Sequence, residues 1–258
     1  MNLLSACLIT FNEEDNLPRV LNSVQDVADE IVIVDRGSKD RTTEIAREHG
    51  AKVVTRAWTN FAEQKNAAAA AASHDWILSL DADEELSPEL RHALLEWKKK
   101  QPESSVYEFA RRTWYLGAWV KHTGWYPDFQ RRLFRRDDAL FSGIIHESLR
   151  FEGKPGRLAG DLLHYTVRSF EEHEQKVESY ATLAAQQMFM AGKRDWRAAM
   201  WLATPWSFFH NFVLGLGFLD GHRGWLISRM AARGTWLKFK KLGELLEAER
   251  HASEVKAP

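Results

Sequence analysis

Only one of the 258 residues is a cysteine, Cys7, and it stands inside an apolar run. That excludes an internal disulfide and makes a reducing compartment the simple reading. An excess of either charge is also missing: 35 basic residues face 36 acidic ones, a net charge of -1. A protein built to coat nucleic acid would show a basic surplus, so nucleic acid is not an expected partner. Long apolar runs are scarce. The run at 206–219 covers 14 residues, is interrupted by His210 and Asn211, and falls short of the roughly 20 needed to cross a bilayer. Residues 3–9 follow Met1 with no basic region before them and no small-residue cleavage site after them, so they read as a first strand rather than a secretion signal. No internal repeat is evident.

What is present is a chain long enough for one large domain, or one domain with an appendage. The first hundred residues alternate between apolar runs and helical periodicity. The run at 3–10 leads through Phe11-Asn12-Glu13-Glu14 to a helical pattern at Leu17, Val20, Leu21 and Val24. A second run at 30–34 ends at Asp35, with Gly37 close behind, and a helix follows near 42–49. A third strand at 51–55 precedes an Ala-rich helix at 61–72. A fourth at 75–80 ends in a knot of four acids within five positions: Asp81, Asp83, Glu84 and Glu85. Ser87 then reads as an N-cap, with Pro88 as the first helical residue. Continuous β-branched runs alternating with helices predict an α/β class, a mostly parallel sheet covered on both faces. In such sheets the ligand site lies at the carboxyl ends of the strands, where Asn12, Asp35 and the acidic knot all fall.

From 104 to 166 the segments become shorter and aromatic-rich, which predicts a mixed-sheet continuation with loops that build an acceptor pocket. A long helix at 169–191 opens on Ser169, with Glu172 three positions on. Between His222 and Lys241 stand six cations and no acid, interleaved with Trp225, Leu226, Ile227, Met230, Trp236, Leu237 and Phe239. That pattern suits a helix in the headgroup layer of an anionic membrane. A helix packed on its own domain with basic residues outward fits it too.

Each acidic or basic cluster carries two readings. Asp81 and Asp83 can turn two carboxylates toward one ligand, such as Mg²⁺ or Mn²⁺ with its phosphates, or they can be solvated helix-start acids together with Glu84 and Glu85. Asp35 can accept from a ribose or a base edge, or it can bond its own turn. Lys65 can reach a nucleotide or sit on a solvated helix face. His146 can complete a metal site. Glu147 can take a proton from an attacking hydroxyl, with Asp128 as its rival. In the strand at 130–134, strict alternation places Arg131 and Arg135 on one face and Arg132 on the other. Not all of these arginines can then be functional.

The set Leu8-Ile9-Thr10-Phe11-Asn12-Glu13-Glu14, Ile33-Val34-Asp35 with Gly37-Ser38 and Asp40, Gln64-Lys65-Asn66 and Leu80-Asp81-Ala82-Asp83-Glu84 resembles family 2 glycosyltransferases of the GT-A fold. Arg131 to Arg136, Phe141-Ser142-Gly143 with His146-Glu147, and Gly217-Phe218-Leu219-Asp220-Gly221 resemble its bacterial lipopolysaccharide core branch, which glucosylates inner-core heptose. The resemblance covers roughly 3–245. Arg36 and Lys39 depart from it, standing where the family usually has small hydroxyl residues.

The resemblance implies a GT-A catalytic domain at 1–168, with a nucleotide-binding half at about 1–100 and an acceptor-binding half at about 101–168. A helical, amphipathic, membrane-associating region would follow at 169–258. It implies an inverting transfer of a hexose, glucose being the expected one, from a UDP-sugar to a lipid-linked core saccharide. The enzyme would lie peripherally on the cytoplasmic face of the bacterial inner membrane. Thr10, Asn12, Glu14, Asp35, Lys65, Asp81 and Arg131 would contact the donor. Asp83 and His146 would hold Mg²⁺ or Mn²⁺, and Glu147, or else Asp128, would act as base. The alternatives are transfer to a polyprenyl phosphate or another polysaccharide, and an inactive GT-A scaffold at the membrane.

Overall fold

The computed structural model describes residues 1–143, 147–167 and 169–254, with side chains as far as 252. The chain divides into two compact units, one of Met1–Arg112 with Pro127–Tyr165 and one of Thr113–Tyr126 with Thr166 onward.

In the first unit, β1 (Leu4–Thr10), β2 (Glu30–Asp35), β3 (Lys52–Thr55) and β4 (Trp76–Asp81) alternate with α1 (Leu17–Val24), α2 (Thr42–Glu48) and α3 (Phe61–Ala70). The four strands run parallel in the order β3-β2-β1-β4, as their uninterrupted apolar sequences predict. Register then fixes the site. Thr10 lies opposite Asp35, and Ile9 opposite Asp81, so the carboxyl ends of β1, β2 and β4 are level. α1 buries Leu17, Val20, Leu21 and Val24, one apolar stripe at helical spacing. α3 has no such stripe. It packs through the small residues Ala62, Ala68 and Ala69, and this lets Gln64 and Lys65 lie buried on the same helix.

The sheet continues as the mixed extension expected. β5 (Glu84–Leu86) and α4 (Pro88–Lys98) precede β6 (Val106–Tyr115), β7 (Ala118–Trp119) and β8 (Asp128–Arg135). β9 (Ala139–Ser142), β10 (Ser148–Phe151) and β11 (Gly156–Val167) follow. Beyond β4 the order is β8-β6-β11-β5, with β7 paired to β6; β9 and β10 form a separate hairpin. Ser87 caps α4 as predicted, its Oγ accepting from Leu90 N at 3.2 Å. Gly160, at φ +95°, lies so close to the start of α4 that a Cβ there would come within 2.2 Å of Leu90 N. Only glycine permits that approach. β5 was not legible in the sequence: the acidic knot turns into a short strand paired with β11 before the helix begins.

The second unit is mainly helical: α5 (Phe170–Met190), α6 (Arg197–Phe209), a π-helical turn His210–Leu214, a 3₁₀ turn Gly217–Asp220 and α7 (Gly221–Glu254). Ser169 caps α5 through Glu172 N at 3.1 Å. α7 runs unbroken through Gly243, which packs against the Trp196 ring. No helix among the described residues is long and apolar enough to cross a membrane.

His173 on α5 is buried beside Tyr115, whose hydroxyl lies 2.8 Å from its Nδ1. Burial pushes the Tyr115 phenol up to about 12, so it stays protonated and can donate. Burial, and then the charge of Lys176, lower the His173 pKa below 6.5, against a smaller opposing effect of Glu174. Below about pH 6.5 the unfolded chain therefore binds a proton that the folded chain resists, and stability falls with pH by up to about 1.4 kcal/mol per unit. We expect the thermal midpoint of the wild type to drop between pH 7 and 5.5. His173→Gln should lose part of that slope, as measured by calorimetry across the range.

Candidate active site

The loops after β1 and β2 are stitched together by the residues singled out in the sequence. Asp35 is almost fully buried. Its Oδ1 accepts from Gly37 N and Ser38 N, both at 2.8 Å, and its Oδ2 accepts from Thr10 Oγ1 at 2.9 Å and Ser38 Oγ at 2.5 Å. Four donors fill a carboxylate's acceptor capacity. The plainer reading, an aspartate bonding its own turn, is the geometry seen. Asn12 adopts φ 54°, accepts from Lys39 N and donates through its own N to Ser38 Oγ, each at 2.9 Å. Glu14 Oε2 accepts from Arg41 N at 3.0 Å. Thr10, Asn12 and Glu14 therefore brace the loops at the strand ends.

The acidic knot is held by buried cations. Lys65, with its side chain 2% exposed, places Nζ 2.9 Å from Asp81 Oδ1 and 3.0 Å from Glu147 Oε1. Neither a solvated lysine nor one reaching outward, it bridges two carboxylates beneath the surface. Asp81 Oδ2 lies 2.5 Å from Arg132 Nη2, and the same nitrogen lies 2.6 Å from Glu84 Oε1. Arg111 continues the chain, 3.6 Å from Glu84 Oε1 and 2.6 Å from Asp128 Oδ2. Seven charged groups thus alternate in sign: Glu147, Lys65, Asp81, Arg132, Glu84, Arg111 and Asp128. Both residues expected to compete as base terminate one network. Burial opposes the ionisation of Asp81, but the charges of Arg132 and Lys65 outweigh it and hold the carboxyl far below the usual range. Burial likewise works against the Arg132 charge, and Asp81 and Glu84 more than offset it, raising its pKa.

Glu84 corrects the expectation of a solvated helix start, for it is fully buried and its Oε2 also accepts from Asp81 N at 2.9 Å. Arg131 was the arginine expected at the donor, yet Arg132, on the other face, is the one that reaches the acidic knot. Tyr107 pairs with Leu133 but Glu108 pairs with Arg131, so the register passes over Arg132 in a β-bulge. Arg131 itself stays half exposed, 3.9 Å from Glu108 Oε2 and over the Phe151 ring.

Asp83 takes another partner. Its Oδ2 lies 3.3 Å from His164 Nε2, because β11 pairs with β5 in a register that sets His164 opposite Glu84. Burial disfavours its charge, while the hydrogen bond and charge of His164 prevail and lower its pKa. His164 was missed: its only trace in the sequence is a polar residue inside the apolar run of β11, and its meeting with Asp83 is long-range. His146, expected as a metal ligand, lies outside the described residues. Among those described, no three His, Cys, Asp or Glu side chains gather as a complete metal cage. A carboxylate and an imidazole this close still fit adjacent positions on Mn²⁺ or Mg²⁺, with diphosphate oxygens and waters completing the set.

Removing Arg132 would leave Asp81 and Glu84 buried against one another. We expect Arg132→Met to cost about 3–5 kcal/mol in chemical denaturation, and Arg131→Ala, on the exposed side, to stay within about 0.5 kcal/mol.

The model for "Glycosyl transferase family 2" matches residues 5–151, the segment that carries these strands and the ion network. An uncharacterized glycosyltransferase of Rickettsia typhi is 30% identical over 266 residues, covering 95% of this chain and 88% of that one. The lipopolysaccharide core biosynthesis glycosyltransferase LpsC of Rhizobium meliloti is 33% identical over 204 residues, covering 74% of this chain and 73% of that one. Among solved structures, S. aureus TarS 1-349 is similar at a TM-score of 0.48 and 14% identity, with 97% of this chain and 92% of that one covered. With its strands, its network and more than half of its length accounted for in this way, the chain belongs to glycosyl transferase family 2.

Proposed function

We propose that the protein is an inverting, metal-dependent transferase that moves a hexose such as glucose from a UDP-sugar to an inner-core heptose of lipopolysaccharide. The observation that carries this reading is the adjacency, at the carboxyl ends of the strands, of the Asp83–His164 pair and the ion chain ending in Glu147. The similarity to LpsC supports the acceptor class.

Asp83 and His164 would hold Mn²⁺ or Mg²⁺, whose chemistry here is to neutralise charge on the departing diphosphate. Asp81 is anchored at both oxygens by Lys65 and Arg132 yet is still partly exposed, so its remaining lone pairs are aimed for a ribose hydroxyl. The acceptor oxygen attacks the anomeric carbon as the bond to the diphosphate breaks, and its proton passes to a carboxylate. Glu147 suits that task better than Asp128. Its Oε1 is fixed by Lys65, and its Oε2 has no partner among the described residues. Asp128 has Oδ2 gripped twice by Arg111 and Oδ1 held by Gln130 at 2.8 Å. Three donors on Asp128 against one on Glu147 leave Glu147 with more lone pairs to take a proton.

The membrane side of the proposal moves from where the sequence pointed. Much of the apolar side of α7 is turned inward, with Ile227, Met230, Leu237 and Phe239 all buried, while Trp225 and Trp236 stay partly exposed. Two of its cations face acids of α5, Arg233 to Glu174 at 3.1 Å and Lys241 to Glu178 at 3.2 Å. Exposed apolar groups gather instead on α6 and the turns after it: Trp201 at 75%, Leu202 at 73%, then Trp206, Phe209, Leu214 and Leu219. Residues 198–219 contain no Asp, Glu, Lys or Arg. This segment would lie in the interface of the cytoplasmic leaflet and bring the enzyme to a lipid-linked acceptor.

Two measurements check these roles. UDP release from UDP-glucose with heptose-containing core acceptor and Mn²⁺ should be abolished by Asp83→Ala. It should fall about 10²–10⁴-fold in Glu147→Gln with donor binding retained, and full turnover in Glu147→Gln would return the base to Asp128. Co-sedimentation with anionic vesicles should drop at least about tenfold when Trp201, Leu202 and Trp206 are replaced by serine. Unchanged sedimentation would remove α6 as the contact.

A further inference from the structure

The motif Gly217-Phe218-Leu219-Asp220-Gly221 has no part in the site at the strand ends, yet it holds a loop of the second unit, to which residues 113–126 also belong. The Asp220 side chain is 9% exposed. Its Oδ2 accepts from His122 N at 2.8 Å and Lys121 N at 3.2 Å, and its Oδ1 lies 2.9 Å from His122 Nδ1. Thr123 N donates to Gly215 O at 2.7 Å. A Cβ on Gly217 would come within 2.7 Å of the Thr123 methyl, and Gly224 sits so close to Gly217 O that no Cβ fits there either. At the far end of the loop Arg223 Nε donates to Leu116 O at 2.9 Å.

These contacts hold a strained backbone. Leu116 at φ 44°, Thr123 at φ 63° and Leu216 at φ 55° all lie in the left-handed region, and a β-branched residue there is an outlier. Such residues persist only where their surroundings over-determine them, and they gather at ligand-binding positions. What the cradle fixes is His122. A carboxylate only accepts, so the ring nitrogen facing Asp220 carries a proton. The side chain is 27% exposed, and Nε2 has no partner among the described residues. Lys121 beside it is exposed and makes no ion pair among those residues. Asp220 is the only acid in 113–126 and 198–243, and it is already engaged by these donors. An uncommitted imidazole nitrogen and an ammonium with no free carboxylate of these segments beside them suit an anion. Leu216, Phe218 and Leu219, which run directly into Asp220, are between 45% and 58% exposed. The anion they suit is therefore one carried at a lipid surface.

We infer that Lys121 and His122, aimed by Asp220, bind a phosphomonoester at the membrane surface, carried either by the acceptor saccharide or by a lipid headgroup. The inference rests on the lipid-linked acceptor reading above and adds the groups that hold that acceptor. A phosphomonoester meets Nε2 in either protonation state: an imidazolium N–H donates to a phosphate oxygen, or a bare Nε2 accepts from P–OH. Lys121 supplies a second charge. Asp220 touches no ligand and acts as a positioning residue, by fixing the tautomer and the loop.

The first test is co-sedimentation of the full chain with vesicles of phosphatidylcholine, alone or mixed with phosphatidic acid, whose headgroup is a phosphomonoester. Wild type should bind the mixed vesicles at least about tenfold more tightly. His122→Asn keeps an amide nitrogen near the position of Nδ1 but has nothing at Nε2, whereas His122→Gln reaches the outer position. His122→Asn should hold its thermal midpoint and lose most of the gain from phosphatidic acid, about tenfold. His122→Gln should recover part of it, and Lys121→Ala should lose a similar amount. A purely structural histidine gives the reverse order, with His122→Asn binding as wild type, and overturns the inference. The second test locates the phosphate, by UDP release with heptose-containing core acceptor, intact or enzymatically dephosphorylated. If the saccharide carries it, dephosphorylation should raise the acceptor KM of wild type about tenfold, and His122→Asn should erase the difference. If a lipid headgroup carries it, both acceptors should give one KM. Turnover with no effect of His122→Asn in either test removes the phosphate site and leaves the transferase reading standing. A vesicle result as expected with no turnover of any acceptor removes the transferase reading alone.

Discussion

Arg132 is the interaction on which the site depends. Four acids in five positions would repel one another at the end of a buried strand, and the fully buried Glu84 could not stay charged alone. One guanidinium nitrogen, inserted from the neighbouring antiparallel strand, contacts Asp81 and Glu84 together. Lys65 approaches from α3 on the other side. The two cations make a dense carboxylate cluster tolerable and let Asp81 and Asp83 hold fixed directions at the carboxyl ends of the strands. Such an arrangement contributes little net stability over an apolar alternative, but it is costly to break. Its value here is orientation.

The same network separates carboxylates that look alike in sequence. Asp35, Asp81, Asp83, Asp128 and Glu147 are all acids near strand ends or in loops, yet their environments differ in what remains free. Asp35 is spent on its own turn and Asp128 on Arg111 and Gln130. Asp81 is clamped but accessible, Asp83 shares its oxygen with one imidazole, and Glu147 keeps one oxygen uncommitted. A division of labour among identical functional groups follows from which donors surround each one.

In the helical unit the physical contrast is between α7 and α6. α7 carries the cations and aromatics that read as a membrane stripe, but its apolar side is used for packing and part of its charge is answered by acids of α5. α6 carries no charge after Arg197 and leaves its tryptophans in the open. Composition does not separate the two helices; packing shows that the apolar side of α7 is already occupied.

Much of the fold was legible because it rests on local signals. Apolar runs of strand length, Ser87 with Pro88, and Ser169 with Glu172 are written within a few residues and reappear as β1 to β4 and two capped helices. The clustering of Asn12, Asp35 and the acidic knot at the carboxyl ends of the strands followed from topology alone. The partners of the site residues were not local. Arg132 meets Asp81 across about fifty residues of chain, through the antiparallel pairing of β4 with β8. His164 meets Asp83 across about eighty residues of chain, and β5 exists only because β11 pairs with it. The sequence by itself determined the parallel core, the helix starts and the position of the acidic knot, since periodicity and capping act within a turn or two of chain. Tertiary structure alone decided which cation neutralises each acid, because strand register and helix packing set distances between residues that the chain keeps far apart.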